Sequence, residues 1–525
     1  MRGSGAPGDD VEASGDAAAQ EGSWLLPARR RHHLPKVASS STFQADGKLR
    51  AALEGPPGPH SGDGADEPDD KSRRCSVGDT LLALLSLQLG WGLWLMPHSF
   101  GQLGWLPGLV LTAVMAGTTA WSGGLFARLF AAAPGAVLFG DIGQKAAGPG
   151  ARALVYAIVY ALDATRCVIL HLAATQSLVH ALGPAHAPPL RACGAAVLAA
   201  VLGLSQVRSL ARLSWFFAMG TAAQLCAIGL VCFEMFANPY PSPARALVVR
   251  PAALRGGAGG IGLDDQVVAA FNIIFAYGGQ FAFVELMAAM ARPAKFPVAV
   301  TACTGIMSSL YAALGAFGYV ACGAAASEIL VFSFPDGGAA RAAGACVLLQ
   351  ALAQYLVNAN VWAHNLLVLL SRRRALLGKA GGGAAPACSS DHAAGPWLLV
   401  TSGVVLYSYL ISMTIPFFST LVGIVSSSTY LLCAYTLPCW FALRLLAHDL
   451  GAPERLACRA AIPLTLALSA LGLVCSASTL ARRMCPGGHC ALAGAVGGGH
   501  GVPLAAAAAV IVAPAAAAAP AGLRL

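Results

Sequence analysis

Leu85–Gly108 reads LSLQLGWGLWLMPHSFGQLGWLPG. It follows a charged stretch and lies in strongly apolar surroundings, yet Gly90, Gly92, Pro97, Gly101 and Gly104 interrupt it. Glycine and proline are the poorest helix formers. Inside a bilayer, unwound backbone is tolerated only where it is buried in protein or lines a cavity. Such residues at the centre of a membrane helix mark either close packing against a neighbour or a break that serves a ligand.

The rest of the chain has the composition of a membrane protein. Of 525 residues, 57% are hydrophobic and 11% charged, against about 25% charged in a soluble domain. A spanning helix takes about 20 mostly apolar residues. About eleven such runs are present, near 77–98, 105–131, 152–182, 190–207, 213–236, 266–291, 297–323, 343–370, 396–418, 420–446 and 460–481. The net charge of +9 does not point to a nucleic-acid partner. The basic residues fall in short clusters between apolar runs, and no basic face with interleaved aromatics appears. The expected solvent is the lipid bilayer.

Residues 1–74 are rich in Gly, Pro, Ser, Asp and Ala, which predicts a disordered tail. Asp9, Asp10, Glu12 and Asp16 argue against a transit peptide, and no apolar core follows Met1 as a signal peptide requires. A cytosolic N-terminus follows. Residues 75–481 then form the membrane domain and 482–525 a low-complexity tail. The Lys and Arg bias agrees: Arg128, Lys145, Arg292, Lys295 and Arg372–Arg374 fall on the inner connections of that topology. Arg482 and Arg483 run against it, because an odd span count puts them outside.

The 15 cysteines lie mostly singly in apolar segments, without histidines at metal-ligand spacing. They read as small packing residues. Cys485 and Cys490, which flank a Pro-Gly-Gly turn, are the pair suited to a local disulfide on a non-cytosolic side. His98, Asp163 and His171 form no recognisable metal-ligand motif, so neither a metal site nor an enzyme active site is expected, and no cofactor.

A second interrupted run decides between packing and ligand. The sixth reads FNIIFAYGGQFAFVELMAAM, with Gly278 and Gly279 at its centre and Tyr277 before them. Spans one and six break mid-membrane, five spans apart, as in two inverted five-helix repeats with a substrate site at their interface. A half-helix starting near Gly90 and Gly92 offers amide N–H groups and a positive dipole end to a carboxylate. Carbonyls freed near Phe275 and Ala276 suit an ammonium. Gln88, just before the first break, either reaches the cavity or hydrogen-bonds another helix. The combination fits a zwitterion: an amino acid or a related small amine.

Four motifs carry a family resemblance. They are GLWLMPHSFGQLGWLPG in span one, FGDIGQKAAGPGAR (Phe139–Arg152) as an inner loop, FAYGGQFAFVELMAAMARPAKFPVAV in and after span six, and IPFFSTLVGIVSSSTYLLCAYTLPCWFAL from Ile415. In this order over roughly 75–480 they resemble the amino acid/auxin permease family, of the amino acid–polyamine–organocation superfamily. The resemblance implies an all-α, LeuT-like fold of about 11 transmembrane helices with broken helices 1 and 6, and secondary transport of amino acids, usually coupled to H⁺ and in some branches to Na⁺. His98 stands where that family commonly has an aromatic Tyr, and Met96 replaces its Leu.

Ionisable groups within spans are functional by default. Asp163 and Arg166 share a face of span three at i, i+3, and they serve either each other or a proton. His171, two turns on, is a relay or a hydrogen-bonder. Glu285 lies in the second half of span six. Sodium coupling in this fold draws on hydroxyls of span eight, but CVLLQALAQYLVNANVWAHNLL has neither Ser nor Thr. The coupling ion expected is therefore H⁺, with Asp163, His171 and Glu285 as candidates. Glu21, Leu25 and Leu26 match an acidic dileucine signal for sorting adaptors, which fits the plasma membrane or an endosomal or vacuolar membrane. The competing reading is a membrane amino acid sensor with little transport.

Overall fold

The computed structural model describes residues 75–183, 185–206, 210–237, 262–323, 326–378 and 394–484. The dileucine residues and Cys485 and Cys490 lie outside these. Among the described residues the architecture is all-helical, with one isolated bridge between Cys75 and Met290.

The first run divides into α1 (Val77–Gln88) and α2 (Trp91–Leu103), bent by 53° at Leu89 and Gly90. α1 starts in a capping box: the Ser76 hydroxyl accepts from the Asp79 N–H at 3.2 Å, and the Asp79 carboxylate accepts from the Ser76 N–H at 2.9 Å. α3 (Trp105–Ala132) and α4 (Phe139–Leu182) follow. The stretch expected as an inner loop after span two is itself helical. It joins the third span through a kink at Ala147 and Gly148, where Gly148 takes φ 82° ahead of Pro149. Proline restricts the preceding residue and only glycine adopts that φ without strain.

α5 (Leu190–Leu204), α6 (Leu210–Ala237), α7 (Leu263–Ala276), α8 (Phe283–Ala289) and α9 (Phe296–Cys322) come next. They are followed by α10 (Gly338–Gly378), α11 (Ala394–Thr414), α12 (Phe418–Val425), α13 (Leu437–Leu445) and α14 (Ala452–Met484). Each apolar run coincides with a helix. Among the described residues nine helices are long and apolar enough to cross a membrane, and the bent α1–α2 pair makes a tenth. The fourth run, α5, has 15 residues, about 22 Å of helix against a hydrocarbon core of about 30 Å.

The tenth span is wound unusually. Between α12 and α13, Ser426–Tyr430 and Leu432–Thr436 are π-helical. Two sequence features act here. The hydroxyls of Ser426, Ser427, Ser428 and Thr429 each donate back to a carbonyl one turn earlier, at 2.7–2.8 Å, which loosens the i→i−4 ladder. Pro438 has no N–H to give to a carbonyl of the preceding turn, and the Ser122 hydroxyl of α3 donates to the Ala434 carbonyl at 2.7 Å.

The ends of the bundle are tied across. At one end the Cys75 N–H donates to the Ala289 carbonyl (3.2 Å) and the Ala291 N–H to the Cys75 carbonyl (3.1 Å), joining the start of span one to the finish of span six. Elsewhere Arg482 lies 3.4 Å from both Asp264 and Asp265, and Arg483 pairs with Glu328. Glu328 also accepts from the Ser419 N–H at the start of α12, at 3.0 Å. The two arginines that ran against the charge bias are thus matched by three carboxylates at the start of α7 and in the α9–α10 connection.

Candidate functional site

α2 and α7 pack along each other, and the two breaks meet. Gly92, in the first turn of α2, lies so close to the last residue of α7 that a Cβ there would stand 2.5 Å from the Cα of Ala276. A Cβ on Gly279 would come within 2.9 Å of the Gln88 side chain. One on Gly278 would fall on the ring of Tyr430 from the π-helical stretch. Gly90 differs: its nearest neighbour is the Gln354 amide nitrogen at 3.6 Å. The breaks are drawn together, with Gln88 and Tyr430 filling the notches that the glycines leave.

The backbone groups released by the breaks are mostly taken up locally. The Phe275 carbonyl accepts from the Gly278 N–H at 3.0 Å, and the Tyr277 carbonyl from the Gly279 N–H at 3.1 Å. The carbonyls of Gln88, the last residue of α1, and Ala276, the last of α7, converge on one hydroxyl. Tyr311 of α9 donates to the Gln88 oxygen at 2.7 Å and to the Ala276 oxygen at 3.1 Å. Tyr311 is fully buried. Its ring meets that of Tyr277 edge-on at 5.5 Å, and the Tyr277 hydroxyl donates to Ser308 at 2.8 Å. Gln88, 6% exposed, holds a side-chain oxygen without a partner among the described residues.

Aromatic and charged groups surround the second break. The Tyr430 ring contacts those of Phe275 (5.2 Å) and Phe281 (6.4 Å). The Arg166 guanidinium of α4 stands 5.4 Å from the centre of the Phe281 ring. Tyr430 is within electrostatic reach of Arg166 and Asp163, and Asp163 is fully buried. Gln280 donates to Thr119 of α3 at 3.5 Å, and Thr119 in turn contacts the Tyr435 hydroxyl at 3.4 Å.

The other two ionisable candidates meet other groups. His171 is fully buried, with Nδ1 2.9 Å from the Ser412 hydroxyl of α11. That hydroxyl also lies 3.0 Å from the Tyr409 carbonyl, to which it can donate. Nε2 has no partner among the described residues, and the ring lies edge-on to Tyr355 and Tyr409. Glu285, on α8, is 7% exposed and within reach of Tyr156, beside Arg152, which pairs with Asp141 at 3.3 Å and stacks on Tyr156. His98 donates from Nδ1 to the Ala326 carbonyl in the α9–α10 connection, at 2.9 Å.

The sequence pointed to the glycines but not to Tyr311 or Tyr430, whose partners come from other spans. The local signal was there, since a tyrosine in mid-span must find an acceptor for its hydroxyl.

A bundle of apolar helices with paired broken spans defines a multi-pass integral membrane protein. The chain belongs to the transmembrane amino acid transporter family, which it matches over residues 73–481; the family is one of transporters, not enzymes. Among curated proteins it is similar to two from Arabidopsis thaliana named amino acid transporter AVT1D and AVT1C. The first match is 22% identical over 439 residues, covering 80% of this chain and 72% of the relative. The second is 22% identical and covers 70% of this chain and 63% of the relative, just under two thirds of its length. Among solved structures, a manganese transporter from Eremococcus coleocola aligns with a TM-score of 0.41 at 13% identity, over 84% of this chain and 92% of that one.

Proposed function

We propose that the protein is a secondary active transporter of amino acids or related small amines, working by alternating access and coupled to H⁺. The observation that carries this reading is the meeting of two broken spans, where the carbonyls of Gln88 and Ala276 converge on the Tyr311 hydroxyl and the Gln88 carbonyl also accepts from the Gly90 N–H at 2.8 Å. Convergent carbonyls suit an ammonium. The N-terminus of α2 at Trp91 and Gly92 suits a carboxylate. The names of the Arabidopsis relatives point the same way.

In this reading residues 75–481 form two inverted five-helix repeats followed by an eleventh span, with the N-terminal tail in the cytosol and the last span ending on the opposite side. The excess of Lys and Arg on the inner connections supports that orientation. The protein resides in the plasma membrane or an endosomal or vacuolar membrane. Proton coupling rests on the absence of Ser and Thr from Cys346–Leu367 of α10, and on Asp163, buried near the second break, as the first candidate carrier. A hard cation needs several oxygens in place of its water, whereas a proton needs one titratable group.

The test uses purified full-length protein in liposomes, with an imposed pH gradient in sodium-free choline buffer. Concentrative uptake of labelled amino acids that collapses with a protonophore is expected. Uptake that requires sodium and ignores the pH gradient overturns the coupling, and the absence of any uptake overturns the transport reading.

A further inference from the structure

The reading above leaves the Tyr311 hydroxyl without a task. It is fully buried, and it donates to both the Gln88 and Ala276 carbonyls. An O–H bond has one hydrogen, so the two acceptors share it. A primary ammonium brings three N–H donors and would serve both carbonyls better. Tyr311 is also held from behind: its ring packs edge-on against Tyr277, which is anchored through Ser308 to the Thr304 carbonyl. The phenol is thus positioned by its own helix rather than placed there by chance.

We infer that Tyr311 is an internal competitor for the substrate's amine, a positioning residue that satisfies the paired carbonyls while the site is empty and yields them when a primary ammonium arrives. This rests on the transport reading. It adds that affinity is set by an exchange of donors, and that the exchange favours amines with N–H bonds to spare. It also gives the Ala276 carbonyl a donor in the protein interior, where an unpaired carbonyl is costly, while the Gln88 carbonyl has the Gly90 N–H besides.

The sign of the effect separates this role from a structural one. If the phenol only braces the helices, Tyr311→Phe lowers the amount of folded protein and hence the maximal rate, and leaves KM unchanged. If it competes, removing the hydroxyl lowers KM, by about three- to tenfold for one hydrogen bond, while the maximal rate per folded molecule stays level or falls. The probe is an equimolar ¹⁴C-labelled mixture of the common amino acids, taken up by liposomes containing the full-length protein. A lower KM in Tyr311→Phe supports the inference. An unchanged or higher KM, in a variant that transports, overturns it.

Where Tyr311→Phe does not fold, 2,3,5-trifluorotyrosine at position 311 decides. It keeps the shape and is a stronger donor, so KM must rise; an unchanged or lower KM overturns the inference. A wild-type protein that takes up none of the mixture refutes the transport reading itself, and is thereby distinguished from failure of the Tyr311 inference alone.

Discussion

At Gly278 a single methyl group has nowhere to go, because a Cβ there would fall on the Tyr430 ring. The ring is hemmed in by Phe275 and Phe281, so it cannot swing aside freely. Gly278→Ala should therefore cost about 1–3 kcal/mol, the usual range for overpacking a filled core. Tyr430→Leu in the same chain should recover part of that loss, since contacting residues are energetically coupled. Thermal unfolding of the single and double variants in detergent measures this, and additive losses would mean that the two positions do not meet. The glycine half of the pair was legible in the sequence, because two adjacent glycines in an apolar run are conspicuous. The tyrosine half was not. Its placement depends on the π-helical winding of another span, which no local pattern of apolar residues reports.

The tenth span shows how an element takes its shape from a few polar atoms. The Ser122 hydroxyl of α3 donates to the Ala434 carbonyl within the π-helical stretch and ties the two spans together. Ser122→Ala removes that buried hydrogen bond and should destabilise the protein by about 0.5–1.5 kcal/mol. Thermal unfolding in detergent measures this, and a melting temperature equal to that of wild type would mean that the bond contributes nothing. A different control operates in the connection before α10, where Arg341 hydrogen-bonds Asp336 at 2.6 and 2.8 Å. That hydrogen bond holds the Asp336 carboxyl below its ordinary value. A carboxylate with a lowered folded-state pKa contributes stability above its ordinary pKa and loses it as the pH falls through the lowered one. Arg341→Gln should thus lower the melting temperature at neutral pH, and the gap to wild type should close in acid. A gap independent of pH would assign the loss to packing of the Arg341 side chain, whose guanidinium lies where a Cβ on Gly183 would meet it at 2.8 Å.

For the molecule as a whole, run length and composition were enough to place each helix, because the bilayer forces every span to be long, apolar and internally hydrogen-bonded. They could not show that α5 stops at 15 residues, nor that Phe139 to Ala146 would be helical, since a short amphipathic stretch ahead of Gly148 and Pro149 reads equally well as a loop. Nor could they show that Arg482 and Arg483 pair with carboxylates, because Asp264, Asp265 and Glu328 lie far away in sequence. The central claim is that the meeting of the two breaks is where the protein handles its substrate. Its most direct measurement compares uptake of a labelled amino acid mixture by liposomes carrying wild type, Gly90→Ala and Gly92→Ala, at matched amounts of folded protein. A methyl at position 90 meets only the Gln354 amide at 3.6 Å, whereas one at 92 collides with Ala276. The account predicts concentrative uptake by wild type and by Gly90→Ala, and at least about a tenfold loss in Gly92→Ala, as a drop of only 1.4 kcal/mol would give. Equal uptake by the two variants would contradict it.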